Sequence, residues 1–325
     1  MTVLDNRLEN HLEKHLERKY EDIKRIKSVR WLIFYVILAQ FVCQALLRAV
    51  MSFIGKDVIQ SERMLRYIQL GITTAVPFLV AFAVYGAASR KNNEKNFREE
   101  MRLNFANPKY FMPIAVMGIS GQFVMALLNL PISRLTSEIF GSAGASSGAF
   151  VPMSGGEMAA AIISVGILPA FFEELWMRGF VLGVYEKRST LAAIVFTTVI
   201  FGLLHGSAAK LPGVLFMGFT AAMCAIKTKS VFAAMLFHGV CNITGVIYSY
   251  IAMNYKSADS FVWVFASIMV VVFFASFMIF LVITPKIARH KCRKEGAMIL
   301  KNIFSIPIIL CFAIIFLRYW FFGRA

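Results

Sequence analysis

The sequence predicts an all-α, polytopic membrane protein, with eight to nine transmembrane helices around a polar cavity in the middle of the bundle. Of its 325 residues, 58% are hydrophobic and only 16% are charged, and the mean hydropathy is +0.68. Soluble domains carry about a quarter charged residues, so this composition indicates an integral membrane protein. The net charge of +16 does not indicate nucleic-acid binding, because the basic residues cluster between apolar runs. The lipid bilayer is therefore the first predicted partner.

Nine apolar runs predict the individual helices, since a helix needs about 20 mainly apolar residues to cross a bilayer. The fourth run contains Pro169, which predicts a kink. The fifth and sixth runs are short, so eight spans are expected if one of them is re-entrant. The runs lie near 31–54, 67–88, 110–131, 157–185, 190–206, 211–226, 230–253, 260–285 and 302–321.

The runs divide the chain into four parts. Residues 1–30 are highly charged, with an apolar residue at every fourth position from Leu8 to Tyr20, which predicts an amphipathic helix on the cytoplasmic surface. Residues 31–156 hold the first three helices and a Gly-, Ser- and Ala-rich outer loop over 132–156, residues 157–253 the helices with the polar residues, and residues 254–325 the C-terminal helices. A roughly threefold excess of Lys and Arg on one side predicts a cytoplasmic N-terminus. The Lys- and Met-rich composition favours a microbial cell membrane.

Two adjacent acids, Glu173 and Glu174, lie deep within the fourth run, where an ionisable side chain is costly and indicates a functional site. Arg178 is four residues beyond Glu174, so the two side chains share a helix face and are expected to pair. Adjacent residues point about 100° apart around a helix, which leaves Glu173 free to project into a cavity. An unpaired carboxylate there is suited to act as a general base. The simpler alternative is an ion pair with a spare acid that packs two helices.

The next helices contribute two histidines and an asparagine. His205 closes the fifth run, and His238 and Asn242 share a face of the seventh because they are four residues apart. Measured along each helix at about 1.5 Å per residue, these side chains and Glu173 fall in one layer in the middle of the membrane. Interhelical hydrogen bonding explains either His238 or Asn242 singly, but together they are a suitable donor set for an oxyanion.

Two other patterns have simpler explanations than chemistry. His11 and His15 have the i,i+4 spacing of a metal-binding pair, but no third ligand is near, so solvated surface histidines explain them. Cys241 has no evident activating base and is better explained as a small core residue than as a nucleophile.

The motifs together resemble those of the CAAX protease and bacteriocin-processing family of intramembrane endopeptidases. They are Glu-Glu-x-x-x-Arg at 173–178, Phe-x-x-x-His at 201–205 and His-x-x-x-Asn at 238–242, in that order on successive helices. The resemblance covers about residues 157–245, and Met177 departs from the Phe that many members have there. It implies that Glu173 and His205 activate a water and that His238 and Asn242 form the oxyanion hole. Glu174 and Arg178 are then expected to position Glu173 or to contact the end of the substrate.

Two alternatives remain at this stage. His205, His238 and Glu173 supply enough ligands for a zinc-dependent membrane metallopeptidase, although Asn242 is a poor zinc ligand and the metal-free form needs no cofactor. The second alternative is a non-enzymatic bacteriocin-immunity or scaffold protein whose polar cluster holds helices together. If it is an enzyme, the predicted partner is a hydrophobic peptide or membrane-protein substrate, and the sequence leaves open whether that substrate is prenylated.

Overall fold

The computed structural model describes residues 3–54, 62–89, 101–140, 151–254, 259–287 and 293–322. Regular structure within these ranges is helical. One long helix is interrupted twice by π-helical turns, at Ile162–Ile167 and Leu175–Val181, and we refer to the whole of Gly155–Glu186 as the π-containing helix. The α-helices are α1 (Val3–Ile54), α2 (Glu62–Ser89), α3 (Phe111–Phe140), α4 (Gly155–Ala161), α5 (Leu168–Glu174), α6 (Leu182–Glu186), α7 (Thr190–Leu204), α8 (Leu211–Thr228), α9 (Val231–Asn254), α10 (Asp259–Ile283), α11 (Arg293–Lys301) and α12 (Ile306–Phe322).

The number of candidate membrane spans in the described ranges, seven or eight, reaches at most the lower end of the predicted eight to nine. In the described ranges, seven helices are long and apolar enough to cross a membrane, and a bent pair, Gly296–Phe304 with Ile306–Ile315, makes an eighth if it counts as one span. The count of nine included the run at 190–206, but α7 has only 15 residues. Such a helix is about 23 Å long, which is shorter than the roughly 30 Å hydrocarbon core. The all-α, polytopic class is confirmed.

Two predicted boundaries differ in the structure. The charged N-terminal segment and the first span form one uninterrupted helix, α1, with no break near residue 30. The stripe from Leu8 to Tyr20 and the pair His11 and His15 have side chains outside the described set. Part of the predicted outer loop is helical instead, because α3 continues through Pro131 to Phe140. Residues 141–150 of that loop lie outside the described ranges.

Helix α9 lies at the centre of the bundle, where it packs against α3, α8 and the π-containing helix. Two glycines allow neighbouring helices to approach it closely. A Cβ at Gly118 of α3 would lie 2.8 Å from the Cβ of Val240, and a Cβ at Gly166 would lie 2.6 Å from the Cγ1 of Ile243. One contact lies within the segment of α9 that carries the polar motif and the other directly after it, so they fix the distance of that segment from the two helices beside it.

Gly118→Ala is expected to lower the thermal unfolding midpoint, because the added Cβ would overlap the Val240 side chain, and overpacking of this kind costs about 1–3 kcal/mol. Gly155→Ala is the matched control, since a Cβ there meets no heavy atom within 4 Å. Thermal unfolding of both purified variants in one detergent makes the comparison. Equal midpoints for the two variants would contradict the close approach of α3 and α9.

Candidate active site

A single carboxylate oxygen joins three of the predicted site residues. Oε1 of Glu174 accepts a hydrogen bond from Nη1 of Arg178 at 2.9 Å and another from Nδ1 of His238 at 2.7 Å. All three side chains are buried, with exposures of 0%, 0% and 1%. The Glu174–Arg178 pair has the i,i+4 geometry expected from the sequence. The bond to His238 comes from a different helix and was not foreseen.

This contact fixes which nitrogen of His238 carries a proton. An ionised carboxylate only accepts hydrogen bonds, so Nδ1 must donate. The other nitrogen, Nε2, is then a lone-pair acceptor when the ring is neutral and a donor when the ring is a cation. A carboxylate bound to one nitrogen of a histidine fixes the orientation of the ring.

The guanidinium of Arg178 connects the π-containing helix to two further helices. Its Nη2 donates to the carbonyl oxygen of Gly218 in α8 at 2.9 Å. Its Cζ lies 4.2 Å from the centre of the Phe201 ring in α7, which is a cation–π contact. Gly218 leaves room for both groups, because a Cβ there would lie 3.4 Å from Nη2 and 3.3 Å from the Phe201 ring.

Phe201 contacts both histidines through its ring and binds His205 through its backbone. Its ring centre lies 4.7 Å from that of His205 and 5.8 Å from that of His238. Its carbonyl oxygen lies 2.8 Å from Nδ1 of His205, and a carbonyl can only accept, so Nδ1 donates. The lone pair of neutral His205 is therefore on Nε2. Gly206 has φ +59, and this left-handed residue ends the helix directly after His205.

Glu173 is held differently from its neighbour. Its Oε2 is buried and has no hydrogen-bond partner among the described residues, although the residue as a whole is partly exposed. It interacts electrostatically with His238, Glu174 and Arg178. His205 interacts with His238 and Arg178 as well. The two residues predicted to activate water thus share His238 and Arg178 as neighbours, and His205 has Lys210 in addition.

Asn242 is bound to the backbone of the π-containing helix. Its Nδ2 donates to the carbonyl oxygen of Val165 at 3.0 Å. In an α-helix that carbonyl would accept from residue 169, but Pro169 has no N–H to offer. A π-helical turn therefore precedes Pro169, and Asn242 on α9 supplies the hydrogen bond that the Val165 carbonyl would lack. One amide hydrogen of Asn242 is used in this contact, which leaves the other for an oxyanion.

Two further predictions concern Cys241 and zinc. The Cys241 side chain is buried, with its Sγ 3.4 Å from the Sδ of Met125 and 3.7 Å from the Oε1 of Gln122. This packing agrees with a small core residue. Within the described ranges, no three His, Cys, Asp or Glu side chains lie close enough to hold a metal ion together. His205, His238 and Glu173 therefore do not form a ready ligand set in this conformation.

Comparison with known proteins agrees with the motifs. Residues 155–244 match the family model of the type II CAAX prenyl endopeptidase Rce1-like family. The match covers the π-containing helix, α7, α8 and the part of α9 that ends just beyond Asn242. It confirms the resemblance drawn from the three motifs and supports assignment to the CAAX protease family, which indicates a membrane protease. Comparison with curated proteins and with solved structures gives no match.

Arg178→Met is expected to reduce the free energy of unfolding by about 3–5 kcal/mol, because it leaves the buried Glu174 carboxylate without its cation. The double variant Glu174→Gln/Arg178→Met is expected to lose less than the sum of the two single variants, since the two residues form one pair. Denaturant or thermal unfolding in detergent measures the three variants.

The control for this substitution is Arg134→Met, which removes an exposed arginine from α3. A surface substitution of this kind is expected to change stability by about 0.5 kcal/mol or less. If Arg178→Met and Arg134→Met unfold alike, the buried pair does not stabilise the bundle.

Proposed function

We propose that this chain is an intramembrane endopeptidase that hydrolyses a peptide bond in a hydrophobic, membrane-associated or prenylated peptide or protein. Glu173 is the general base, His205 orients the attacking water, and His238 with Asn242 holds the oxyanion. The observation that carries the proposal is the contrast between two adjacent carboxylates. The Oε2 atoms of both acids are buried without a hydrogen-bond partner among the described residues, but Oε1 of Glu174 is bound to Arg178 and His238, whereas Glu173 has no such bond to either of them.

The first chemical step needs a base that is not already bound. Glu173 meets this condition, and a positioned carboxylate of this kind contributes about 10²- to 10⁴-fold to the rate of proton transfer. It takes a proton from water as the water oxygen attacks the scissile carbonyl carbon. His205 accepts a hydrogen bond at Nε2 from the other O–H of the water and so orients it, since its Nδ1 is already bound to the Phe201 carbonyl. As the tetrahedral intermediate collapses, Glu173 returns its proton to the leaving amine.

The developing negative charge on the carbonyl oxygen needs donors that are already in place. His238 can donate from Nε2 only as the cation, because Nδ1 already donates to Glu174. The role of Glu174 in this mechanism is therefore to fix the orientation of the His238 ring. The remaining amide hydrogen of Asn242, one helical turn further along α9, is the second donor.

A hydrophobic substrate agrees with an exposed apolar stripe on the helix that carries Glu173. Ile163, Ile167 and Phe171 are four residues apart on the π-containing helix, and each is about half exposed. A hydrophobic peptide in the bilayer could lie against these side chains.

Glu173→Gln and His205→Ala are expected to lower kcat for a fluorogenic peptide by about 10²-fold or more, because each removes one of the groups that activate water. Glu138→Gln removes an exposed carboxylate from α3 and is expected to leave kcat unchanged. The assay uses purified proteins and a panel of hydrophobic and prenylated peptides, with mass spectrometry to locate the cleaved bond.

Equal cleavage by wild type, Glu173→Gln and His205→Ala would contradict the mechanism.

One observation supports the non-enzymatic alternative. Glu174, Arg178 and His238 pack closely together, as in a purely structural cluster. This alternative predicts no cleavage of any peptide, and a biological phenotype that survives Glu173→Ala in protein that still inserts into the membrane.

Chelation separates the glutamic from the zinc-dependent form of the enzyme. In the proposed mechanism no residue acts through a metal, so incubation with a membrane-permeant chelator followed by desalting is expected to leave kcat unchanged. Both histidines present Nε2 with Nδ1 already bonded, an arrangement that is also typical of zinc ligands. Loss of activity on chelation, restored by stoichiometric zinc, would therefore identify a metallopeptidase.

A further inference from the structure

The second π-helical turn takes from the carbonyl oxygen of Arg178 the partner that it would have in an α-helix. In an α-helix the N–H of Leu182 would bond to this oxygen, but here it bonds to the carbonyl of Met177 instead. The guanidinium of Arg102 takes its place, with Nη1 2.7 Å from the Arg178 oxygen. Arg102 lies in the segment that leads into α3 and is far from the motifs in sequence.

Arg102 is built into the bundle rather than exposed on a loop. It is 6% exposed, and its Nη2 forms an ion pair with Glu186 at the end of the same π-containing helix. Its φ is +51, in the left-handed region that a residue with a side chain rarely adopts. Residues persist in such conformations where the surrounding contacts impose them, and these positions concentrate at functional sites.

The backbone of the same segment touches both helices that carry the site. The carbonyl oxygen of Arg102 accepts from the N–H of Val231, the first residue of α9, at 3.0 Å. The first N–H groups of a helix have no partner within it, so this contact fixes where α9 begins. On the other side, a Cβ at Gly179 would lie 3.2 Å from the carbonyl oxygen of Met101. The segment thus lies directly against the residue that follows Arg178.

We propose that Arg102 is a positioning residue that sets the register of the π-containing helix relative to α9. Its side chain binds the π-containing helix at the Arg178 carbonyl, one turn from Glu174. Its backbone carbonyl binds α9 at the N–H of Val231, two turns before His238. The contact that depends on this register is the one between Glu174 and His238. The catalytic consequence rests on the proposed function, whereas the structural consequence does not.

The competing explanation is that Arg102 only forms an ion pair with Glu186. Glu186→Gln separates the two, because it removes the ion pair and keeps the hydrogen bond to the Arg178 carbonyl. Arg102→Met removes both contacts and retains the apolar length of the side chain. Arg102→Lys keeps a cation that can reach one of the two partners.

The kinetic test uses a fluorogenic peptide that the wild type cleaves. Arg102→Met is expected to lower kcat about tenfold or more, because a small displacement of reacting groups has a large effect on rate, and to leave KM within about threefold. Glu186→Gln is expected to lower kcat less, and Arg102→Lys to be intermediate. If Arg102→Met does not accumulate in membranes, the kcat of Arg102→Lys is compared with that of Glu186→Gln instead.

A second measurement reports the register without any activity. A Cβ at Gly239 would lie 3.4 Å from the Cβ of Ala170, close to the about 3.5–4.5 Å that a disulfide requires. Ala170→Cys with Gly239→Cys is therefore expected to cross-link rapidly on mild oxidation, as followed by mass spectrometry of the joined peptides. Adding Arg102→Met is expected to slow this reaction several-fold, and adding Glu186→Gln is not.

The outcomes separate the two proposals. Equal effects of Arg102→Met and Glu186→Gln on cross-linking would overturn the positioning role, whether or not any peptide is cleaved. Slower cross-linking in Arg102→Met with no cleavage by the wild type would support the register and reject the protease. Normal wild-type cleavage with unchanged kcat in Arg102→Met would reject only the role of Arg102.

Discussion

The rest of the site depends on the hydrogen bonds that the buried Oε1 atom of Glu174 accepts from Arg178 and His238. A carboxylate removed from water is tolerated only when a cation and hydrogen-bond donors compensate for the lost hydration. Arg178, one turn further along the same helix, supplies the cation and a hydrogen bond. His238 on α9 supplies the second hydrogen bond. The same arginine continues to Gly218 in α8 and to the ring of Phe201 in α7. One charge therefore determines how four helices face one another.

The same constraint explains why two adjacent acids have different tasks. Because neighbouring residues point about 100° apart on a helix, only one of them can enter the cluster around Arg178. Each acid has one buried oxygen without a partner among the described residues, but only Glu174 is bound to Arg178 and His238 through its other oxygen. In the proposed mechanism Glu174 orients His238 and Glu173 handles the proton, so neither could replace the other.

Sequence reasoning identified the features that depend on one helix at a time. The apolar runs, the Glu174–Arg178 pair and the shared face of His238 and Asn242 follow from composition and helical spacing. The bonds from His238 to Glu174 and from Asn242 to Val165 join different helices, so periodicity does not specify them. Pro169 signalled an irregular helix, but not its two π-helical turns. Arg102 looked like any basic residue near the start of a span, because only the tertiary fold brings it to the Arg178 carbonyl.

The proposed mechanism is tested most directly by the structure of the protein with a phosphinic analogue of a cleaved peptide, which mimics the tetrahedral intermediate. We expect one phosphinyl oxygen at about 2.7–3.1 Å from both Nε2 of His238 and Nδ2 of Asn242, and the other against the carboxylate of Glu173. Glu174 should remain bound to Nδ1 of His238. An analogue that binds through a metal held by the two histidines, or that lies away from Glu173, would contradict it.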